Sequence, residues 1–269
     1  MNIYQVTNPR TSSIIRSEEI KKKKVLIVGL GGGADIALHL YRSGISKLTL
    51  IDKDILEADN LVRHVCGMEY LGQNKAIATK KLLNRYCKNT EIKAFDFDVF
   101  NERVKVYELI SENDLIIIAT DSDASKYYLN EMAVELRKNA IYVGMYENGD
   151  GGEVFVSRPD KACFECLSRL NERNTFLKIY LEAKEKKDCA SNRDAKAMPG
   201  LGIDQSFLSS IASRKAIEIL TSNDETSTLK HIDGDWIIWS LCGIAGTGLE
   251  SLSSIRMTLK IHNQCTNHK

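Results

Sequence analysis

The run Gly29-Leu30-Gly31-Gly32-Gly33-Ala34 fits GxGxxA, and an acid, Asp52, stands 23 residues beyond its first glycine. Glycines at that spacing let a backbone approach a phosphate, whose charge is met by amide N–H groups and the positive end of a helix. Ala34 is small enough for a helix to pack closely on a strand, and Asp52 is placed to accept hydrogen bonds from ribose hydroxyls. Downstream come Asn60, Arg63 and Lys75, and then Asp121. Hydride transfer has no use for two cations converging on a nucleotide. Attack on a phosphoryl group does, because charge on the phosphate oxygens and on a leaving pyrophosphate must be offset by fixed cations.

Cysteines supply a second set. Cys163 and Cys166 form CxxC, while Cys265 and His268 form CxxH near the end of the sequence. Two such hooks can close a tetrahedral zinc site of three Cys and one His, a structural site, since four protein ligands leave no open position; the alternative is a pair of thiols that holds no metal. Cys189 lies in a polar loop near Lys186, Lys187 and Arg193, cations that favour its thiolate; it reads as a nucleophile or as an incidental exposed thiol. Cys66, Cys87 and Cys242 sit among apolar residues and read as core.

These groups need a scaffold that brings residues 29 and 121 together. Short β-branched runs alternate with helical stretches: KVLIVG (24–29), KLTLID (47–52), 92–95, DLIIIAT (114–120) and AIYVG (140–144) as strands, with helices at 73–86 and 124–136. Such near-continuous apolar strands predict an α/β fold, a Rossmann-like mostly parallel sheet with helices on both faces. Asp121 then falls at the carboxyl end of a strand, facing the crevice where such sheets bind ligands. It suits magnesium there, or else a helix N-cap, a place Asp123 could take instead. After Gly144 the pattern predicts strands at 151–158, 235–241 and 256–262, helices at 167–187 and 205–220, and a loop at 188–202. The C-terminal half thus continues into antiparallel strands. Residues 1–269 read as one unit, with a nucleotide-binding half to 150 and a second half, 151–269, packed onto it.

The 269 residues carry 37 basic and 36 acidic side chains, 43% hydrophobic residues and 3 prolines. That balance excludes a disordered chain and argues against a nucleic-acid or membrane-surface binder. No apolar stretch reaches the roughly 20 residues of a membrane span, and MNIYQVTNPR lacks a signal core. Seven cysteines, an odd number, fit reduced thiols, and a cytoplasmic protein is expected.

The segment DKDILEADNLVRH, followed by GQNKA, resembles the ThiF/MoeB/HesA superfamily of ATP-dependent adenylating enzymes, relatives of ubiquitin-activating enzymes. Thr120-Asp121-Ser122 is similar to that family's TDN motif. Lys126 and Asn130 fall where its next helix carries Arg and Asn, and Cys163–Cys166 where it carries its first zinc hook. The resemblance implies that Gly29, Gly31 and Gly32 lie against the phosphates, that Asp52 holds the ribose with Asp54 also among the nucleotide-binding residues, and that Asn60, Arg63 and Lys75 contact the triphosphate. Asp121 would hold Mg2+. It implies ATP-dependent adenylation of the C-terminal carboxylate of a small ubiquitin-like or sulfur-carrier protein, with Cys189 as a possible acyl acceptor and a homodimer in which Arg10 or Arg16 reaches the partner's ATP. The family more often has CxxC at both hooks, and His268 departs from this. Asp35 replaces a frequent Ser near the phosphates, His64 a frequent Gln and Lys126 a frequent Arg. NLVRH and the cysteine loop lean toward protein conjugation, with a conjugating enzyme as further partner, rather than sulfur transfer. An NAD-dependent oxidoreductase, on GxGxxA and Asp52 alone, and a non-catalytic partner-binding module of the same fold are the alternatives.

Overall fold

Most of the apolar runs become strands buried on both faces in the computed structural model, which describes residues 14–15, 17–86, 91–146, 149–188, 200–225 and 227–268, the side chains of 17 and 183–188 excepted. After a turn of helix, α1 (Ser17–Ile20), come β1 (Lys24–Val28), α2 (Gly32–Arg42) and β2 (Lys47–Ile51). Two 3-10 turns, Ala58–Val62 and Met68–Tyr70, lead to α3 (Lys75–Tyr86), β3 (Glu91–Phe95), α4 (Arg103–Glu112), β4 (Leu115–Ile118), α5 (Asp123–Glu135) and β5 (Asn139–Met145). The second half adds β6 (Gly152–Ser157), α6 (Phe164–Ser168), α7 (Asn171–Asp188), α8 (Gly202–Leu220), β7 (Trp236–Ser240) and β8 (Ser253–Met257).

One eight-stranded sheet runs in the order β3-β2-β1-β4-β5-β6-β7-β8. Its first five strands are parallel, and β6, β7 and β8 pair antiparallel. Alternate residues of a strand face opposite layers. Val25 and Ile27 pack with Ile36 and Leu40 of α2 and with Leu208 and Ala212 of α8. Leu26 and Val28 face Leu109 of α4, Leu129 of α5 and Phe176 of α7. The expected α/β class is therefore found, as three layers with the mostly parallel sheet in the middle. Among the described residues no helix is long and apolar enough to cross a membrane.

Three elements differ from expectation. Helix α4 has no clear mark in the sequence because its pattern is blurred, with only Val106, Leu109 and Ile110 buried. The helix at 167–187 is two helices, α6 and α7, breaking at Asn171, a residue type that prefers helix starts to interiors. The last strand comes earlier than 256–262, because β7 pairs Trp236 with Met257 and Ser240 with Ser253. Beyond Met257 the chain leaves the sheet and carries Cys265 to the first hook. Cys66 is a core thiol, pushed up to about 11 by burial. Cys242 is exposed, contrary to expectation, because it stands in the turn after β7. Cys87 lies outside the described residues.

Candidate active site

The glycine loop takes its shape from contacts that a side chain would spoil. Gly29 leaves β1 at φ +86°, and a Cβ there would stand 2.7 Å from the Ala119 carbonyl oxygen. At Gly33 a Cβ would meet Ile27 Cγ2 at 3.0 Å, so α2 can approach the sheet only without one. Gly31 is the opposite case: among the described residues nothing lies within 4 Å of its Cβ position, and no side chain caps the start of α2. A helix start of this kind suits an anionic ligand.

Asp52 fixes this loop from the next strand. Its Oδ2 accepts the Leu30 N–H at 2.5 Å and its Oδ1 the Asp54 N–H at 2.8 Å. Burial raises its pKa, and these two bonds offset part of that. Asn74 donates its side-chain amide to the carbonyls of Asp52 (2.7 Å) and Asp54 (3.2 Å), while its Oδ1 accepts the Ala76 and Ile77 N–H groups. The start of α3 is thereby pinned beside Asp52. Lys75, next in sequence, lies 3.7 Å from an Asp54 carboxylate oxygen.

The turn after β2 brings in the second cation. Asn60 receives the Glu57 N–H on Oδ1, and its carbonyl accepts the N–H groups of Arg63 and His64. Gln205 of α8 donates to the Arg63 carbonyl at 2.9 Å, and a Cβ at Gly202 would stand 2.9 Å from the Val62 carbonyl oxygen. His64 is buried, with Nδ1 accepting the Cys66 N–H and Nε2 lying 2.7 Å from the Leu30 carbonyl. Because Nδ1 accepts, the ring proton sits on Nε2 and is donated to Leu30. Burial lowers the imidazole pKa, so the neutral ring is favoured.

These elements enclose a cleft made of two basins. One, about 300 Å³, lies between Asp52, Asp54 and the apolar residues Phe97, Val99 and Phe100 that follow β3. The other, about 360 Å³, is lined by Asn60, Arg63 and Gln205 together with the apolar Val143, Met145 and Leu208. Gly31, Gly32, Lys75, Ala119 and Asp121 border both basins. Asp121 is exposed to the cleft and makes no hydrogen bond or ion pair with another described residue. Ser122, rather than Asp121 or Asp123, caps α5, accepting the Ser125 N–H. A lone carboxylate facing a phosphate-sized space suits magnesium, which takes one or two carboxylates together with phosphate oxygens.

Asp35 and Lys126 line neither basin. Both are buried, Asp35 with Oδ1 3.6 Å from His39 and Lys126 3.6 Å from Asp123. Asn130 takes the Tyr142 hydroxyl and the Phe164 N–H on Oδ1 and donates toward Cys163 Sγ at 3.6 Å. Cys189, Arg10 and Arg16 lie outside the described residues.

The two hooks meet on the α5 side of the sheet. Ligand atoms of Cys163, Cys166, Cys265 and His268 all lie within 4.8 Å of one another. Cys163 Sγ is 3.9 Å from Cys166 Sγ and 3.6 Å from Cys265 Sγ, close to the edge of about 3.8 Å that Zn–S bonds of about 2.3 Å give a tetrahedron. His268 Nε2 is buried without a hydrogen-bond partner among the described residues, the condition of a ligand atom aimed at a cation. Hydrogen bonding from Cys163 pulls the Cys166 thiol down toward thiolate. The donor set thus fits zinc.

Several residues at the cleft and at the hooks have little or no mark in the sequence. Phe97, Val99 and Phe100 were signalled only by apolar residues in DFDVF. Gln205, Leu208 and Ser209 arrive from a distant helix and left no local mark. Glu165, inside the first hook, makes a dense set of contacts with the second that spacing alone does not reveal.

A model of the ThiF family matches residues 10–247. Over 139 residues the chain is 30% identical to the adenylyltransferase and sulfurtransferase UBA4 of Debaryomyces hansenii, covering 51% of this chain and 31% of the relative. Over 161 residues it is 30% identical to the molybdopterin-synthase adenylyltransferase of Escherichia coli K12, covering 59% and 64%. The matched stretch thus spans about a third of the yeast relative and less than two thirds of the bacterial one. Among solved structures, PaaA superposes with a TM-score of 0.67 at 24% identity, covering 89% of this chain and 73% of that one. E. coli MccB with ATP gives 0.64 at 20%, covering 93% and 68%. At those identities the structural likeness is one of fold.

Proposed function

The chain belongs to the ThiF family, and from that premise we propose that it activates the C-terminal carboxylate of a small ubiquitin-like or sulfur-carrier protein by ATP-dependent adenylation. The observation that carries this is the pair of basins joined at Gly31, Gly32, Lys75 and Asp121. A nucleoside fits the first, its ribose hydroxyls on Asp52 and its base against Phe97 and Phe100. The α-phosphate then falls at the junction, and the β- and γ-phosphates extend toward Asn60 and Arg63.

In the reaction, a carboxylate oxygen of the carrier bonds to the α-phosphorus and the bond to the β-phosphate oxygen breaks. The products are acyl-adenylate and pyrophosphate. No proton need be moved by the protein, so positioning and charge compensation carry the rate. Lys75 offsets charge at the junction and Arg63 on the leaving pyrophosphate. Magnesium, which Asp121 would hold, supplies further positive charge to the phosphate oxygens. Zinc on Cys163, Cys166, Cys265 and His268 would tie the segment after β8 to α6 and take no part in the chemistry.

The same proposal extends to organisation. Residues 1–150 form the nucleotide-binding half, and 151–269 the carrier-binding and zinc-clamp half of one adenylation unit. The enzyme acts as a cytoplasmic homodimer, with Arg10 or Arg16 reaching the partner's ATP. Cys189 receives the acyl group as a thioester for passage to a conjugating enzyme.

ATP–pyrophosphate exchange tests the core step. Exchange is expected only with a carrier bearing a free C-terminal carboxylate, and to fall by about 10²-fold in Arg63→Ala and in Asp121→Asn. Undiminished exchange in both variants would remove the mechanism.

A further inference from the structure

Glu165 is a spacer residue of the first hook and is almost wholly buried, yet it is neither a candidate ligand nor part of the cleft. Its Oε2 accepts the backbone N–H groups of Thr266 (2.9 Å) and Asn267 (3.2 Å). The same oxygen accepts the Thr266 hydroxyl (2.9 Å) and the Asn267 side-chain amide (3.0 Å). The Cys265 thiol also points at it, at 3.1 Å. Oε1 takes Nε and Nη2 of Arg169 at 3.1 and 2.8 Å. Thr266 and Asn267 are the two spacers of the second hook. Each hook is therefore fastened to the other through residues that do not ligate.

Consecutive N–H groups closing on a carboxylate form an anion-holding nest. Here the nest lies between Cys265 and His268, so the carboxylate fixes the turn on which both ligands stand. If Cys265 binds metal as thiolate, its S–H bond to Glu165 is lost, but the four Thr266 and Asn267 donors and the Arg169 pair are untouched.

We propose that Glu165 is a positioning residue for the metal site, a clasp that preorganises the CxxH hook so that the cation need not order it. The proposal rests on the zinc reading above. Partners of this kind, one shell beyond the ligands, change metal affinity by about 10–100-fold when removed. A glutamine is nearly isosteric but presents an NH2 group to donors that need an acceptor, and it leaves Arg169 without its counter-ion.

The test is zinc affinity of the full chain, measured by competition with a chromophoric chelator, with cobalt(II) absorption reporting the ligand set. The wild-type chain is expected to bind one zinc. Glu165→Gln is expected to bind about 10–100-fold more weakly while giving the same saturated thiolate-to-cobalt spectrum, a combination that general unfolding does not produce. Should Glu165→Gln fail to fold, the double variant Thr266→Val, Asn267→Ala keeps the carboxylate and deletes two of its donors; a severalfold weakening is then expected. Zinc binding at wild-type affinity in whichever variant folds overturns the clasp and leaves the zinc site standing. A wild-type chain that takes up no zinc overturns the zinc reading itself, and the clasp with it.

Discussion

His64 joins the glycine loop to the Arg63 turn with a single ring proton, donated from Nε2 to Leu30 while Nδ1 accepts from Cys66. Adding a second proton breaks the Cys66 bond and places a charge in a buried site that Lys75 already disfavours. An imidazole in the unfolded chain titrates near about 6.5, and burial lowers the value in the fold. Below that ordinary pKa the unfolded state therefore binds more protons, so this contribution is present above it and is lost as the pH falls toward the folded value. The melting temperature is expected to drop between pH 7.5 and 5.5, and His64→Gln, which keeps a donor for Leu30 but takes no proton, to flatten that drop. Equal slopes in both chains would refute the assignment. In the sequence this residue was visible only as a departure from a frequent Gln. Its role depends on Leu30, 34 positions away, and no spacing rule supplies that contact.

At the level of elements, the strand–loop–helix opening was legible because each glycine answers a local geometric demand. Gly29 needs a positive φ and the absence of a Cβ near the Ala119 backbone; Gly33 needs only closeness to a methyl group. Gly29→Ala is expected to cost more stability than Gly33→Ala, since a left-handed non-glycine residue alone costs about 1–3 kcal/mol and the Ala119 carbonyl belongs to backbone that cannot easily yield. Comparison of chemical denaturation midpoints checks this, and an equal or reversed order would show the loop to be more plastic than its contacts indicate. Other elements were not legible for physical reasons. Helix α4 buries too few side chains to leave a clear period, and the register of β8 is decided by pairing with β7 and by the route to the metal hooks rather than by its own apolar residues.

Across the whole molecule the cleft lies at the carboxyl ends of β1 and β4, where the sheet order turns from β2-β1 to β4-β5. Gly29, Asp52 and Asp121 could be assigned to that crevice from the sequence because strand ends locate them. The wall from α8 could not: the bond from Gln205 to Arg63 spans 142 positions, and it makes the second half of the chain complete a site begun in the first. On the reaction proposed above, both basins belong to one substrate, ATP, which crosses the Gly31–Lys75–Asp121 junction. A crystal structure of the chain with ATP and magnesium tests it most directly. The predicted result is the base beside Phe97 and Phe100, ribose hydroxyls on Asp52, the α-phosphate between Lys75 and Asp121, and the terminal phosphates against Asn60 and Arg63. A nucleotide whose phosphates lie outside the second basin, with Arg63 and Asp121 apart from them, would contradict the claim.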